Sequence, residues 1–215
     1  MNRTFLILLM TGTAMMITVI GQHKSVNSLD YTPWEIDRLQ NGSIRVLGIT
    51  LGKTTIQEAN QIFASFAQTR LIQLPPPTDT PLNTVRKKPE FQLIARYNDL
   101  NIGGMTAEIQ LKYQLDSENI RTLRTTAKAD STTEKTGMLE YEIDKQTEIN
   151  YLSTAISGIT YIPSIDYGDE VIRQRFGQAT QEVKISENER QWLYPKLGLS
   201  IFIYADRADR FVYSK

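Results

Sequence analysis

A glycine-containing turn followed by Lys-Thr is the part of the chain that most resembles a catalytic motif. The segment runs from Gly48 through Gly52 and Lys53 to Thr54, after strand-forming residues and before a helical pattern. That is the context of a phosphate-binding loop, but such a loop has one more residue between its glycines. The sequence therefore predicts a tight turn, with Thr54 or Thr55 capping the helix that follows.

Pairs of carboxylates are the second feature that could support catalysis, since two acids can hydrolyse a glycosidic bond without His or Cys. The candidates are Glu140 with Glu142, and Asp166 with Asp169 or Glu170. The last three also stand where a helix is expected to begin, and negative charge is favourable there. We predict helix capping for them, with a carboxylate- or hydroxyl-dependent hydrolase of envelope material as the alternative function.

The composition removes several classes of chemistry. The 215-residue chain has no Cys and one His, which excludes disulfides, thiolate metal sites, cysteine nucleophiles and lipid attachment through an N-terminal Cys. His23 directly follows an apolar segment, so we expect it outside the folded domain rather than in a Ser-His-Asp triad. Lys plus Arg (24) balances Asp plus Glu (24), which argues against a nucleic-acid partner. We predict no catalytic residue, cofactor or metal site.

Residues 1–21 are interpreted as a signal peptide or a signal anchor. Arg3 precedes residues 5–20, an uncharged apolar run that is long for a secretory signal and short for a spanning helix. Both alternatives predict an exported domain, either periplasmic or anchored in the inner membrane and facing the periplasm. The domain is secreted if the signal is cleaved and the host lacks an outer membrane. Residues 22–43 are polar and predict a tether.

Two segments carry helical patterns. A capping box begins at Thr55, and apolar residues then recur at steps of three and four, which predicts a helix over 55–67. A second helix is predicted to open at Asp166 or Gly168 and to end at Gly177, where a left-handed cap is expected.

Short antiparallel strands account for most of the remaining pattern. Apolar and polar residues alternate from Ala107 to Leu115, which predicts a half-buried strand. We also interpret 120–127 as a return strand and 128–137 as a loop, and expect a closing meander of short strands. The fold predicted is α+β, with helices packed on one face of an antiparallel sheet, after an N-terminal hydrophobic helix.

Strand, helix and meander follow one another twice, over 44–130 and over 160–215. The exported region 44–215 is therefore either two tandem repeats or one α+β domain. Two segments of the chain resemble small envelope proteins. The first is Leu51-Gly52-Lys53-Thr54-Thr55 before a helix. The second is the run from Gly168 to Gly177, followed by Trp192-Leu193-Tyr194-Pro195 and Gly198-Leu199. The envelope proteins that they resemble are the outer-membrane-assembly lipoprotein family and the related β-lactamase-inhibitor-protein fold. The resemblance implies helices stacked on one face of a sheet, and protein binding rather than catalysis. The lipidated Cys and the disulfides of those proteins are missing here.

Candidate binding residues come from the closing strands and from a long loop. Alternate strand residues share a face, so an aromatic set there forms either an exposed binding surface or core. A basic run after three prolines could steer an acidic partner or a phospholipid head group. The candidate partner-binding residues are Trp192, Tyr194, Tyr204, Arg86, Lys87 and Lys88.

The function predicted is a non-enzymatic, protein-binding or assembly-type domain of the cell envelope. Its partner is a protein that the sequence does not identify, and residues 5–20 contact the membrane if they are not cleaved. A pocket with two inward-facing carboxylates, raised in pKa by burial, would favour the enzyme, whereas a flat or concave sheet with exposed aromatics and no such pocket would favour a binding domain.

Overall fold

The structure is a computed structural model that describes residues 31–74, 89–133 and 139–215. Within these ranges, no helix combines the length and hydropathy needed to cross a membrane. The predicted signal or anchor, His23 and the basic run Arg86-Lys87-Lys88 lie outside the described residues.

Side-chain caps define where three of the helices begin. Thr55 Oγ1 accepts from the Glu58 backbone N–H at 3.2 Å, and the Glu58 carboxylate accepts from the Thr55 backbone N–H at 2.8 Å. The predicted capping box is thus confirmed, and these bonds lower the pKa of Glu58. Asp116 and Asp144 cap two further helices by accepting from the backbone N–H groups of Asn119 and Thr147, without the reciprocal bond. The helices of the described part are α1 (Ile56–Ile62), α2 (Ser117–Thr126), α3 (Lys145–Asn150) and α4 (Gly168–Phe176).

The strands form two antiparallel sheets. A small sheet holds β1 (Asp37–Arg38), β2 (Ile44–Val46) and β3 (Ile49–Thr50). The large sheet has ten strands in the order β10-β11-β12-β13-β9-β6-β5-β4-β8-β7. Its strands are β4 (Gln68–Gln73), β5 (Phe91–Ile102), β6 (Met105–Tyr113), β7 (Lys128–Thr133), β8 (Leu139–Glu142), β9 (Ile156–Pro163), β10 (Gln181–Lys184), β11 (Glu189–Tyr194), β12 (Leu199–Tyr204) and β13 (Arg210–Ser214).

One face of the large sheet forms the hydrophobic core, and we call it the helix face. Residues paired across antiparallel strands share a face, and the row Tyr97, Ile109, Tyr161, Phe211, Ile201 and Trp192 runs across six strands. All six side chains are buried. The helix face therefore supplies a continuous core for the elements packed on it.

All four helices contact the helix face. From α1, the Phe63 ring at the helix C-cap lies 5.0 Å from the Tyr97 ring. From α2, the Arg124 guanidinium lies 4.9 Å from the centre of the Phe91 ring. The other two contacts are the hydrogen bond from Thr69 to Glu148 of α3 and the ring contact between Phe176 of α4 and Phe211. The opposite face, which we call the open face, carries no helix of the described part.

The α+β architecture with an antiparallel sheet is confirmed, but two local predictions were wrong. Residues predicted as a return strand form α2, because Asp116 caps it and Ile120, Leu123 and Ala127 fall on one helical side against the core. Lys128–Thr133, predicted as loop, is strand β7 paired with β8. A polar edge strand lacks the apolar alternation that would reveal it.

Candidate functional site

A groove of about 410 Å³ crosses the open face of the large sheet, over strands β4, β5, β6, β9 and β13. Its apolar floor comes from Ile72, Ile94 and Val212. Polar uncharged groups border this floor. The residues that line the groove are Ile72, Leu74, Gln92, Ile94, Gln110, Lys112, Ser157, Gly158, Ile159, Thr160, Arg210, Val212, Tyr213, Ser214 and Lys215.

Gly158 keeps the middle of the groove open. It lies in the central strand β9, paired with Lys112 of β6 and with Ser214 of β13. Its φ is not in the left-handed region that only glycine adopts readily, and a Cβ at this position would lie 3.3 Å from the Tyr213 carbonyl oxygen. The glycine is therefore explained by space rather than by backbone conformation.

The charged side chains that line the groove are all cationic, and none of its described lining residues is acidic. Lys112 and Lys215 are exposed, and Arg210 is half-buried with its guanidinium 5.9 Å from the centre of the Phe202 ring. None of the three makes an ion pair in the described part of the chain. Glu108, which accepts from the Gln110 side chain at 2.6 Å, is engaged by Arg96. The groove thus combines an apolar floor with cations that have no ion pair of their own.

A separate ion-pair network lies on the same face beside the groove. Arg96 holds Glu140 through both of its terminal nitrogens, at 2.5 and 3.3 Å, and its Nε lies 3.3 Å from Glu108. Arg70 lies between Glu140 and Glu142, with nitrogen–oxygen distances of 4.0 and 3.7 Å. These acids are engaged by arginines, which favours a structural role over catalysis.

The aromatic candidates do not form an exposed surface. Trp192 is fully buried and Tyr194 is 4% exposed, both on the helix face under α4. Tyr204 is 8% exposed and lies under the Arg207 guanidinium, 3.8 Å from its ring centre. The core alternative left open by the sequence therefore holds for Trp192 and Tyr194. Partner binding by any of these residues stays a prediction, without an accessible aromatic face to support it.

The three acids proposed for helix capping lie at the start of α4, but they differ in what they contact. The Asp166 carboxylate accepts from the backbone N–H of Gly168, the first residue of α4, at 2.8 Å. Asp169 makes a two-pronged ion pair with Arg190, at 2.7 and 2.9 Å, which lowers the pKa of Asp169. Glu170 lies exposed in the first turn of α4. These acids do not line the groove.

Asp209 is a buried carboxylate that the sequence analysis missed. It is 2% exposed, and its Oδ1 accepts from the Tyr204 backbone N–H at 3.1 Å, while Oδ2 has no hydrogen-bond partner. Burial raises the pKa of Asp209 to about 6, with the charges of Asp166 and Asp169 adding to the rise and that of Arg190 opposing it. Asp209 lies in a charged loop between Ala208 and Arg210, and this local sequence gives no signal of its burial.

We expect Asp209→Asn to change the dependence of stability on pH. From the ordinary pKa of 3.8 to about 6, the folded protein keeps a proton that the unfolded chain loses, so stability falls as pH rises through this window. The variant escapes this loss, so its free energy of unfolding relative to wild type should increase by about 2 kcal/mol from about pH 4 to about pH 7. Urea unfolding at a series of pH values measures the change. Asp206→Asn, exposed in the same loop, is the control and should leave the profile unchanged.

The loop from Gly48 to Thr54 forms a turn rather than a phosphate cradle. Thr54 Oγ1 accepts from the Thr50 backbone N–H at 3.0 Å, which closes the turn internally. A Cβ on Gly48 would lie 2.9 Å from the Tyr31 ring, so this backbone packs against the protein. Gly48 also has a φ of 75°, which favours glycine. Packing and conformation together account for the glycine without a nucleotide.

The groove residues could not be predicted from the sequence because they come from strands that are far apart along the chain. Ile72 of β4 and Val212 of β13, for example, are more than a hundred residues apart. The register that aligns them has no short sequence motif.

In the described ranges, no group of three or more His, Asp or Glu residues is arranged to hold a metal ion. Comparisons with protein families, with curated proteins and with solved structures gave no match for this chain.

Proposed function

We propose that this chain is a non-enzymatic binding domain of the cell envelope that docks a protein partner on the open face of its large sheet. The observation that carries the proposal is the groove on that face, which has an apolar floor and no acidic residue among its described lining residues. A groove of this kind, on a sheet face that carries no helix of the described part, offers a site for recognition.

The alternative of a carboxylate-dependent hydrolase has weaker support. Asp209 is the described carboxylate with a clearly raised pKa; it bonds to backbone and does not line the groove, although it directly precedes the lining residue Arg210. Glu140 and Glu142, the other candidate pair, face Arg96 and Arg70. A glycosidase needs two carboxylates that flank one reactive bond. The carboxylates of Glu140 and Glu142 contact arginines instead.

An internal duplication is part of the proposal. Helix α1 leads into the meander β4-β5-β6, and helix α4 leads into the meander β10-β11-β12-β13. In the sheet, both meanders run from the outer strands toward the centre, where β9 lies between β6 and β13. Tandem repeats that share one sheet would produce this arrangement. Export to the periplasmic side, through residues 1–21, is proposed from the apolar run that precedes the domain.

In-cell photo-crosslinking tests the proposed function. A photoreactive amino acid replaces Ser214, an exposed residue that lines the groove, in the full chain expressed in its source cells. We expect a discrete protein adduct from the envelope fraction, identified by mass spectrometry. The matched control places the same amino acid at Gln174, which is exposed on α4 at the other side of the molecule.

Each outcome bears on the proposal. An adduct at Ser214 that is missing at Gln174 supports docking on the open face. Equal adducts at both positions indicate chance encounters. Failure to form any adduct, with the chain present in the envelope at its normal level, would contradict a binding role.

A further inference from the structure

We propose that the partner presents an acidic segment to the groove, with carboxylates next to apolar side chains. This inference rests on the proposed function and adds the chemistry of the partner.

The cations of the open face divide into two classes. Arg70 and Arg96 are neutralised by the acids of β6 and β8. Lys112, Arg210 and Lys215 line the groove and have no ion pair in the described residues. A cation at a binding surface that has no partner of its own is available to a carboxylate from outside.

Two of these unpaired cations, Lys112 and Arg210, lie at different places along the groove. Lys112 pairs with Gly158 on β9, whereas Arg210 of β13 lies two residues before Val212, which pairs with Thr160. The Lys112 row and the Arg210 row are therefore separated by the row that holds Gln110, Thr160 and Val212. Successive residues on one face of a strand are about 7 Å apart, so the cations suit an elongated ligand better than a single small anion.

The surface between the cations suits a polypeptide. Ile94 and Val212 supply apolar contacts. The Gln110 amide nitrogen already donates to Glu108, which leaves the Gln110 amide oxygen and the Thr160 hydroxyl to bond to peptide groups. Gly158 leaves space for a side chain of the ligand to approach the sheet backbone. Apolar contact supplies affinity, and the cations select acidic over basic sequences.

Binding of model peptides to the purified full chain tests the charge preference. The probes are fluorescein-labelled octapeptides in which valine alternates with glutamate, with serine or with lysine, and binding is followed by fluorescence anisotropy. We expect the glutamate peptide to bind most tightly and to weaken as salt concentration rises, since exposed charges are screened.

The variant that tests the site is Lys112→Gln with Arg210→Gln. We expect it to weaken binding of the glutamate peptide about tenfold, because two charge-assisted contacts are lost. The matched control is Lys145→Gln with Lys184→Gln, which removes the same charge from exposed lysines that have their own ion pairs. The control should bind the peptide as wild type does.

Three results would overturn the inference. The first is no binding of the glutamate peptide at about 1 mM, a concentration that detects even weak complexes. The second is an equal loss in the test and control variants. The third is displacement of the peptide by inorganic phosphate at equal concentration, which would indicate a simple anion site. A protein adduct at Ser214 that maps to a neutral or basic segment would also overturn this inference while leaving the proposed function intact.

Discussion

Trp192→Ala is expected to destabilise the fold by about 4 kcal/mol, because it removes a large, fully buried side chain from the core. The indole lies on β11 between the paired residues Glu182 and Ile201. The Arg173 guanidinium covers its ring at 4.1 Å from the ring centre. Truncation would leave a cavity and would also remove the surface on which this arginine stacks. Urea denaturation followed by circular dichroism measures the loss.

Two controls separate packing from other effects. Phe202→Ala removes a half-buried ring on the adjacent strand from the open face, and should cost about 1 to 2 kcal/mol. Trp192→Phe keeps most of the ring and removes the indole N–H, which has no hydrogen-bond partner, so it should cost less than Trp192→Ala. A Trp192→Ala variant as stable as Phe202→Ala would contradict the burial of the indole.

This prediction also changes how a binding experiment should be designed. An alanine at Trp192 or Tyr194 would abolish partner binding by weakening the fold, whichever surface the partner uses. Substitutions at exposed groove positions such as Lys112 keep the core intact and are therefore informative about binding.

The sequence predicts those elements whose signals are local. The capping box at Thr55 and the alternation along β6 each depend on residues within a few positions of one another. The same holds for Gly177, which follows α4 with a φ of 79°. Short, polar elements such as α2 and β7 lack a strong apolar period, and their identity is decided by what they pack against.

The face of the sheet that is buried could not be predicted from local pattern. On β11 and β12, both alternating sets contain large apolar or aromatic residues. Trp192 and its neighbour Leu193 point to opposite faces of the sheet, as do Ile201 and Phe202. Which set enters the core depends on where α4 lies, and that depends on the topology of the whole sheet. The groove has the same origin, since it exists only when β6, β9 and β13 are neighbours.

The ion-pair network next to the groove leads to a second large effect. Glu140 and Arg96 have side chains that are 7% and 13% exposed, so each is taken out of water and depends on the other for compensation. Their two-pronged contact bridges β8 and β5 across the intervening strand β4. It thereby fixes the half of the sheet that forms one side of the groove.

Glu140→Ala is expected to lower the free energy of unfolding by about 3 kcal/mol, because it removes the carboxylate that both terminal nitrogens of the largely buried Arg96 guanidinium contact. Glu142→Ala, two residues along the same strand, is the matched control. Its carboxylate is 58% exposed and contacts Arg70 at 3.7 Å, so its loss should cost less than about 1 kcal/mol.

The double variant Glu140→Leu with Arg96→Met should recover much of the stability, since replacing both partners removes the uncompensated charge. Equal losses for Glu140→Ala and Glu142→Ala in urea denaturation would show that the network contributes little, and that the groove wall is held by the β4 hydrogen bonds alone.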